Sequence, residues 1–280
     1  MNLLSRSLFF LLPALFCLGV YSGRHRESPP LAASGPRARI LALEGFFPDA
    51  LVQRIRLRTG ISFDVESVPS QGELMARLEA HSQLYDAVTL FHWQLPRAAR
   101  HVSKIDRNGR LKDDLSNVSP DFRDLAPVGS RDVATPLAWG AIGLARSRRP
   151  GGGREAPSAI QMSHGEAAFW LARQPQADDW SFDVPDEGGL LWTIGLAMGA
   201  SARHRSEVET LLSYLLRKEG AAALAAATHS ASTNRLTEAL AIDARLKPSY
   251  LRSIPLTRLQ RTVAPGDADA VFSVVRRIDP

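Results

Sequence analysis

The sequence predicts an α/β protein on an open, twisted parallel sheet with helices on both faces. Three observations predict it. Strand-like and helical runs alternate from Ala38 to Leu90. The helical runs carry start and stop signals. A later run, EGGLLWTIGLAM from Glu187 to Met198, has an acid and two glycines leading into an apolar stretch, as a turn leads into a buried strand. That run raises a question: whether Trp192 faces a packed core or a cleft that holds a ligand.

Ala38 to Leu43 (ARILAL) reads as the first strand. Pro48 stands at a first-turn position, and the helix it opens carries Leu51, Val52, Ile55 and Leu57 before Gly60 stops it. Ile61 to Glu66 alternates as a strand. Ser70 and Glu73 form a capping box for a helix running to about His81. Tyr85 to Leu90 is the third strand. Right-handed crossovers join such units, and ligands bind beyond the carboxyl ends of the strands. The predicted functional rim is therefore Glu44 to Phe47 and Phe91 to Gln94, with Phe46, Phe47, Phe91 and Trp93 as exposed aromatics.

Further on, Val133 to Ala145 predicts two short extended runs around Pro136 and Gly140. Residues 146–158 (RSRRPGGGREAPS) predict a flexible surface segment that trypsin cuts first. Gln161 to Arg173 fits helix or strand. Ser206 and Glu209 predict a second capping box for a helix stopped by Gly220, and an alanine-rich helix follows. Asn234 to Leu240 and Pro248 to Ile254 predict two short terminal helices.

Composition narrows the function. The chain has 280 residues, 45% of them apolar, as in a soluble globular protein. Its net charge of +5 comes almost wholly from scattered arginines, the small groups being Arg24 to Arg26 and Arg146 to Arg149. No basic face interleaved with aromatics emerges, which argues against a nucleic-acid partner. Met1 to Ser22 has Arg6 ahead of LFFLLPALFCLGVY, too short for a comfortable span and suited to a secretory signal. Arg24, His25 and Arg26 directly after it leave an uncleaved membrane anchor open. The membrane is met only through this segment, so the expected location is the periplasm or cell envelope. Residues 23–37 read as a linker.

Cys17, the single cysteine, lies inside the signal-like segment after Phe16, a poor setting for lipidation. The remainder has no thiol for a disulfide. His81, His92 and His101 lie without CxxC or HExxH and read as surface or capping histidines. No metal and no cofactor is expected. No serine sits in GxSxG, GGGRE lacks the ending of a phosphate loop, and Asp113-Asp114 and Asp178-Asp179 read as loop acids. The chain does not read as an enzyme.

An ordered set of short stretches resembles the polyamine-binding (spermidine/putrescine) branch of the periplasmic solute-binding proteins. Thr59-Gly60-Ile61, Tyr85-Asp86-Ala87-Val88, Lys104-Ile105-Asp106, Leu115-Ser116-Asn117 and Pro120-Asp121-Phe122 follow in that family's order. So do Thr135-Pro136, Trp139-Gly140-Ala141, Gly143-Leu144, Ala172-Arg173-Gln174, Glu187-Gly188-Gly189 with Trp192, and Leu211 to Leu216. The resemblance implies a type II two-lobe fold in which crossing strands join two α/β lobes. The first lobe would hold 38–138 and 186–233, and a shortened second lobe 139–185 and 234–280. It also implies an ABC-transporter permease as partner and a small solute captured without chemical conversion. Glu44, Phe46, Phe91, Trp93 and Trp192 fall at the implied ligand positions, Trp192 where the family stacks an indole on the ligand's alkyl chain.

The departures are large. Between the crossing segment and Ala172, roughly a quarter of the family's chain is replaced by the Arg/Gly segment, and two acidic ligand positions go with it. Ile194 stands where the family places an acid. A buried polyamine needs carboxylates to offset the loss of its water, and only Glu44 is placed to supply one. The solute, a polyamine or another cation, is thus expected to bind weakly if it is a polyamine. The alternative is a descendant of the fold that no longer transports: an anchored envelope protein that binds another protein through the aromatic rim.

Overall fold

The computed structural model describes residues 37–123, 129–147, 159–163, 180–183, 189–228, 230–237 and 259–261. Strand β1 (Ala38–Leu43) lies between β2 (Phe63–Val68) and β3 (Ala87–Phe91), parallel to both, with Ile40 opposite Val65 and Ala87. Between them, helix α1 (Asp49–Thr59) starts after Pro48 and ends at Gly60, which takes φ 74° and donates its N–H to Arg56 O. Thr59 Oγ1 accepts the Ile61 N–H. This turn holds residues 60–62, so β2 begins two residues later than Ile61. Helix α2 (Gln71–His81) shows the serine half of the predicted capping box, Ser70 Oγ accepting the Glu73 N–H at 3.1 Å, while the Glu73 carboxylate pairs with Arg77. Ser70→Ala should cost about 1 kcal/mol, read as a lower urea midpoint at unchanged slope.

A 3₁₀ turn over Ser82–Leu84 takes the Tyr85 N–H, which delays β3 to Ala87. Short pieces follow: helix α3 (Leu95–Ala98), strand β4 (Val102–Ser103), helix α4 (Lys112–Leu115) and helix α5 (Pro120–Arg123). Asp113 and Asp114 lie in α4 rather than in a loop. Asp114 accepts hydrogen bonds from Ser213 Oγ and Arg217 Nε, tying α4 to the later helices.

Strand β5 (Thr135–Ser147) is one strand where two runs were expected. Pro136 has no N–H to give, and the register shifts between Pro136 and Ala138 to absorb it. Beyond Ile142, β5 pairs with β6 (Ala159–Ser163) and, from Leu144, with β7 (Trp180–Asp183). Arg146 and Ser147, expected in the flexible segment, are thus part of the sheet; the rest of 146–158 lies outside the described residues. The boundary expected at 138/139 falls within β5.

Strand β8 (Gly189–Gly199) brings the chain back, antiparallel to both β3 and β5. The sheet order is β2-β1-β3-β8-β5-β6. Its β2-β1-β3 side is parallel, and the crossing strands join it antiparallel. Helix α6 (Arg205–Leu216) follows, then α7 (Lys218–Thr228). The expected stop at Gly220 falls inside α7. The break is at Arg217, extended at φ −86° and ψ 156°. Gly220 permits the tight corner: a Cβ there would lie 2.0 Å from Tyr214 O. Ser206 is not the cap, since its Oγ bonds Glu207 and the N-cap is His204. Strands β9 (Ala231–Ser232) and β10 (Leu259–Arg261) add to the sheet. Asn234 to Thr237 form a turn rather than a helix, with Asn234 bridged to Val118. Residues 238–258, including the second expected terminal helix, lie outside the described residues.

Helices cover both faces. Leu51 and Ile55 of α1, Leu211, Leu212 and Leu215 of α6 and Leu224 of α7 form one core with Ile40, Phe91, Trp192 and Ile194. Leu74, Met75 and Leu78 of α2 and Leu95 and Ala98 of α3 form the other, with Leu41, Val88 and Leu90. This alternation along β1, β3 and β8 is the period-two pattern of a sheet buried on both sides.

At the amino end of β3, Asp86 is buried. Its carboxylate accepts from Arg39 N (2.9 Å), Arg203 N (2.6 Å) and His204 N (3.0 Å), and His204 Nδ1 lies 3.0 Å away. One side chain thereby joins β1, β3 and the start of α6. Burial pulls its carboxyl upward, but the hydrogen bonds from Arg39, His204 and Arg203 outweigh that and hold it below the usual carboxylate range.

Candidate functional site

At the carboxyl end of β3 the chain folds back. A 3₁₀ turn over His92–Gln94 is tied down by Gln94, whose Oε1 accepts the Phe91 N–H at 2.9 Å and whose Nε2 donates to Gln71 O. Gln71 opens α2, and its Oε1 accepts the Trp93 Nε1–H at 2.9 Å. Trp93 consequently lies flat on Phe91, ring centroids 4.8 Å apart and planes 2° apart. Trp192, from β8, meets the other side of Phe91 edge-on at 6.0 Å. These are favourable offset and T-shaped arrangements. All three rings are more than nine-tenths buried.

Gly140 lies opposite Trp192 across the β5–β8 ladder. A Cβ at Gly140 would lie 2.4 Å from Trp192 Cζ2, so only glycine leaves room for the indole. The Trp192 Nε1–H is buried without an acceptor. His92, its ring edge-on to Trp93 at 4.7 Å, is also buried, and its Nδ1 accepts the Thr193 N–H at 3.3 Å. Expected as a surface or capping histidine, it is instead buried against a strand N–H. Trp139 stacks on Phe122 at 5.2 Å and donates Nε1–H to Ser232 O.

The residues expected to line a cleft separate into groups. Phe91, Trp93 and Trp192 come together. Phe46 pairs edge-on with Phe47 at 5.1 Å, and Phe47 with Phe63. Glu44 is exposed on the turn before them, its N–H bonded to Val68 O. The expected exposure of Phe46, Phe47, Phe91 and Trp93 is corrected: each keeps at most 7% of its surface. The glutamine tie and the aromatic stacking fold the rim inward over the sheet. Neither indole is bound to a carboxylate, since Trp93 donates to Gln71 and Trp192 to nothing. Ile194 pairs with Phe91. Sequence reasoning missed Gln71, Gln94 and Gly140 as the residues that place these rings. The cue for Gln71 was its place directly after the N-cap serine.

The geometry is that of a sheet with two crossing strands and aromatic rings gathered beside the crossing. The fold is the two-lobe fold of periplasmic solute-binding proteins, mixed α/β. A family model described as bacterial extracellular solute-binding protein matches residues 158–249. An ABC transporter protein of Listeria monocytogenes assigned to spermidine/putrescine has a similar structure, at TM-score 0.67 and 14% identity over 87% of this chain and 97% of that one. The spermidine/putrescine substrate-binding protein PotD of Streptococcus pneumoniae follows at TM-score 0.63 and 12% identity, over 87% of this chain and 99% of that one. The maltotriose-binding protein of Thermus thermophilus reaches 0.62 at 11% identity, over 87% of this chain and 95% of that one. No curated protein sequence matches the chain.

Proposed function

We propose that the chain is an exported solute-binding protein that captures a small solute between two lobes and passes it, unchanged, to an ABC-transporter permease. The observation that carries this reading is the placement of Phe91, Trp93 and Trp192 beside the β5–β8 crossing, in a chain whose residues 158–249 match an extracellular solute-binding family. In this reading the lobes divide as 38–138 with 186–233 and 139–185 with 234–280. Opening them frees the three rings to form the apolar wall of the site, with Phe46 behind and Glu44 at the edge. Met1 to Ser22 exports the chain, as a cleaved signal or a retained anchor. Titrating small polar solutes against tryptophan fluorescence of the full chain tests this. A saturable change is expected with one class of solute, lost in Trp192→Ala. A response undiminished in Trp192→Ala and Trp93→Ala would remove these rings from the site.

The solute is not a polyamine. Protonated polyamines present only N–H donors and positive charge. Ile194 answers neither, the two indoles offer only cation–π attraction and no carboxylate, and Glu44 can take one ammonium. Removing one partner of a buried charge costs roughly 3–5 kcal/mol, more than a hundredfold in affinity. Isothermal titration with spermidine and putrescine should therefore give dissociation constants weaker than about 100 µM. Low-micromolar binding, abolished in Glu44→Gln, would instead make the chain a polyamine receptor.

A further inference from the structure

Among the described residues, the buried side-chain polar atoms without a hydrogen-bond partner are Thr135 Oγ1, Tyr214 Oη and Trp192 Nε1. The two hydroxyls can turn, and each can donate or accept. The indole N–H only donates, and its direction is fixed in the plane of the ring. Whatever completes it must be an acceptor. A buried donor left unpaired is costly and rare, and a buried tryptophan usually finds a partner for this group.

Trp192 keeps 8% of its surface. Its ring is held by Phe91, edge-on at 6.0 Å, and by Gly140 of β5, where a Cβ would lie 3.1 Å from Nε1. Gly140 is the ladder partner of Trp192, so the backbone alongside belongs to the β5–β8 pairing. Trp93 differs: its Nε1–H is committed to Gln71 Oε1 at 2.9 Å. One indole of the group is satisfied within the protein. The other holds an unused donor beside the crossing strands.

We infer that the solute carries an acceptor oxygen, a carbonyl or a carboxylate, on a flat apolar body, and that this oxygen takes the Trp192 N–H while the body lies against the rings. The inference rests on the solute-binding reading and adds to it the chemical class of the solute. An sp² oxygen accepts close to the plane of the group that bears it, so a flat solute can stack and accept at once. A hydrocarbon of the same shape leaves the N–H unpaired, and an ammonium brings only donors. A site built to donate a hydrogen bond discriminates against both.

NMR of the full chain, isotope-labelled at its five tryptophans, tests this. The Trp192 indole N–H is the signal missing from Trp192→Phe. In the free protein it should lie upfield, as an indole N–H without an acceptor does. Benzamide and benzoate, as probes, should move it downfield, and benzylammonium should not. Trp192→Phe keeps an aromatic ring and loses the donor. It should weaken benzamide and benzoate about tenfold, the scale of one hydrogen bond, and leave benzylammonium unchanged. A free-protein signal already at a hydrogen-bonded position overturns the inference, as does a bound probe that leaves the signal in place. Binding lost in Trp192→Ala but untouched in Trp192→Phe would keep the rings as the wall of the site and remove the acceptor. Binding by none of the three probes would count against both the inference and the reading it rests on.

Discussion

Asp86→Ala should destabilise the protein by about 3–5 kcal/mol, the scale for leaving buried hydrogen-bonding and charged partners uncompensated. Against a typical total of about 5–15 kcal/mol, that is enough to empty much of the folded population at 37 °C. The reason is how much rests on one side chain: the N–H groups of Arg39, Arg203 and His204 all lose their acceptor. These groups lie in β1 and ahead of α6, so no local rearrangement satisfies them together. Asp86→Asn keeps an acceptor oxygen and should cost less, about 1–3 kcal/mol. The pH dependence has a definite sign. Asp86 is held below the usual carboxylate range in the folded state, so the unfolded chain takes up its proton first as pH falls. The stabilisation is complete above the ordinary carboxylate range and is lost as pH drops through the depressed folded value. Urea denaturation from neutral pH into the acid range should show a steeper loss for wild type than for Asp86→Asn. Parallel acid limbs would mean that the carboxylate's charge contributes nothing.

Gly140→Ala should cost about 1–3 kcal/mol through overpacking and displace the Trp192 ring. The added Cβ would stand 2.4 Å from Trp192 Cζ2 and 2.7 Å from Cε2. The indole cannot retreat freely, because Phe91 closes its other side at 6.0 Å. The two positions should therefore couple. Trp192→Leu removes the atoms the new methyl strikes, so Gly140→Ala should cost at least 1 kcal/mol less in that background. Additive costs in denaturant melts of the four proteins would show that the strain lies in the backbone. In the solute-binding reading, Gly140→Ala should also weaken the solute's effect on tryptophan fluorescence.

Much of the first half of the fold was legible because its signals are local. Ser70 with Glu73, Pro48 with Gly60, and the alternation of ARILAL each act within a few residues. Errors came where a distant partner decides. Gly220 reads as a stop, yet Tyr214 O needs its missing side chain and the helix breaks three residues earlier. Ser206 reads as a cap, yet Asp86, far away in sequence, takes the N–H groups ahead of that helix. Of the site, Trp93 was legible as an aromatic beyond the end of β3 and Trp192 as one within the β8 run. Their burial was not, because it depends on Gln71, Gln94 and Gly140, none of which carries a chemical signature. His92 looked like a surface or capping residue for the same reason: its Nδ1 serves a backbone N–H on β8.

Native mass spectrometry of the chain purified from its own cell envelope tests the solute-binding assignment most directly. The account predicts a one-to-one adduct with a small molecule other than spermidine or putrescine. The adduct should be released on denaturation and absent from Trp192→Ala. A chain that carries nothing and gains no small-molecule adduct when incubated with the small-molecule fraction of that envelope, while retaining a protein partner, would contradict it.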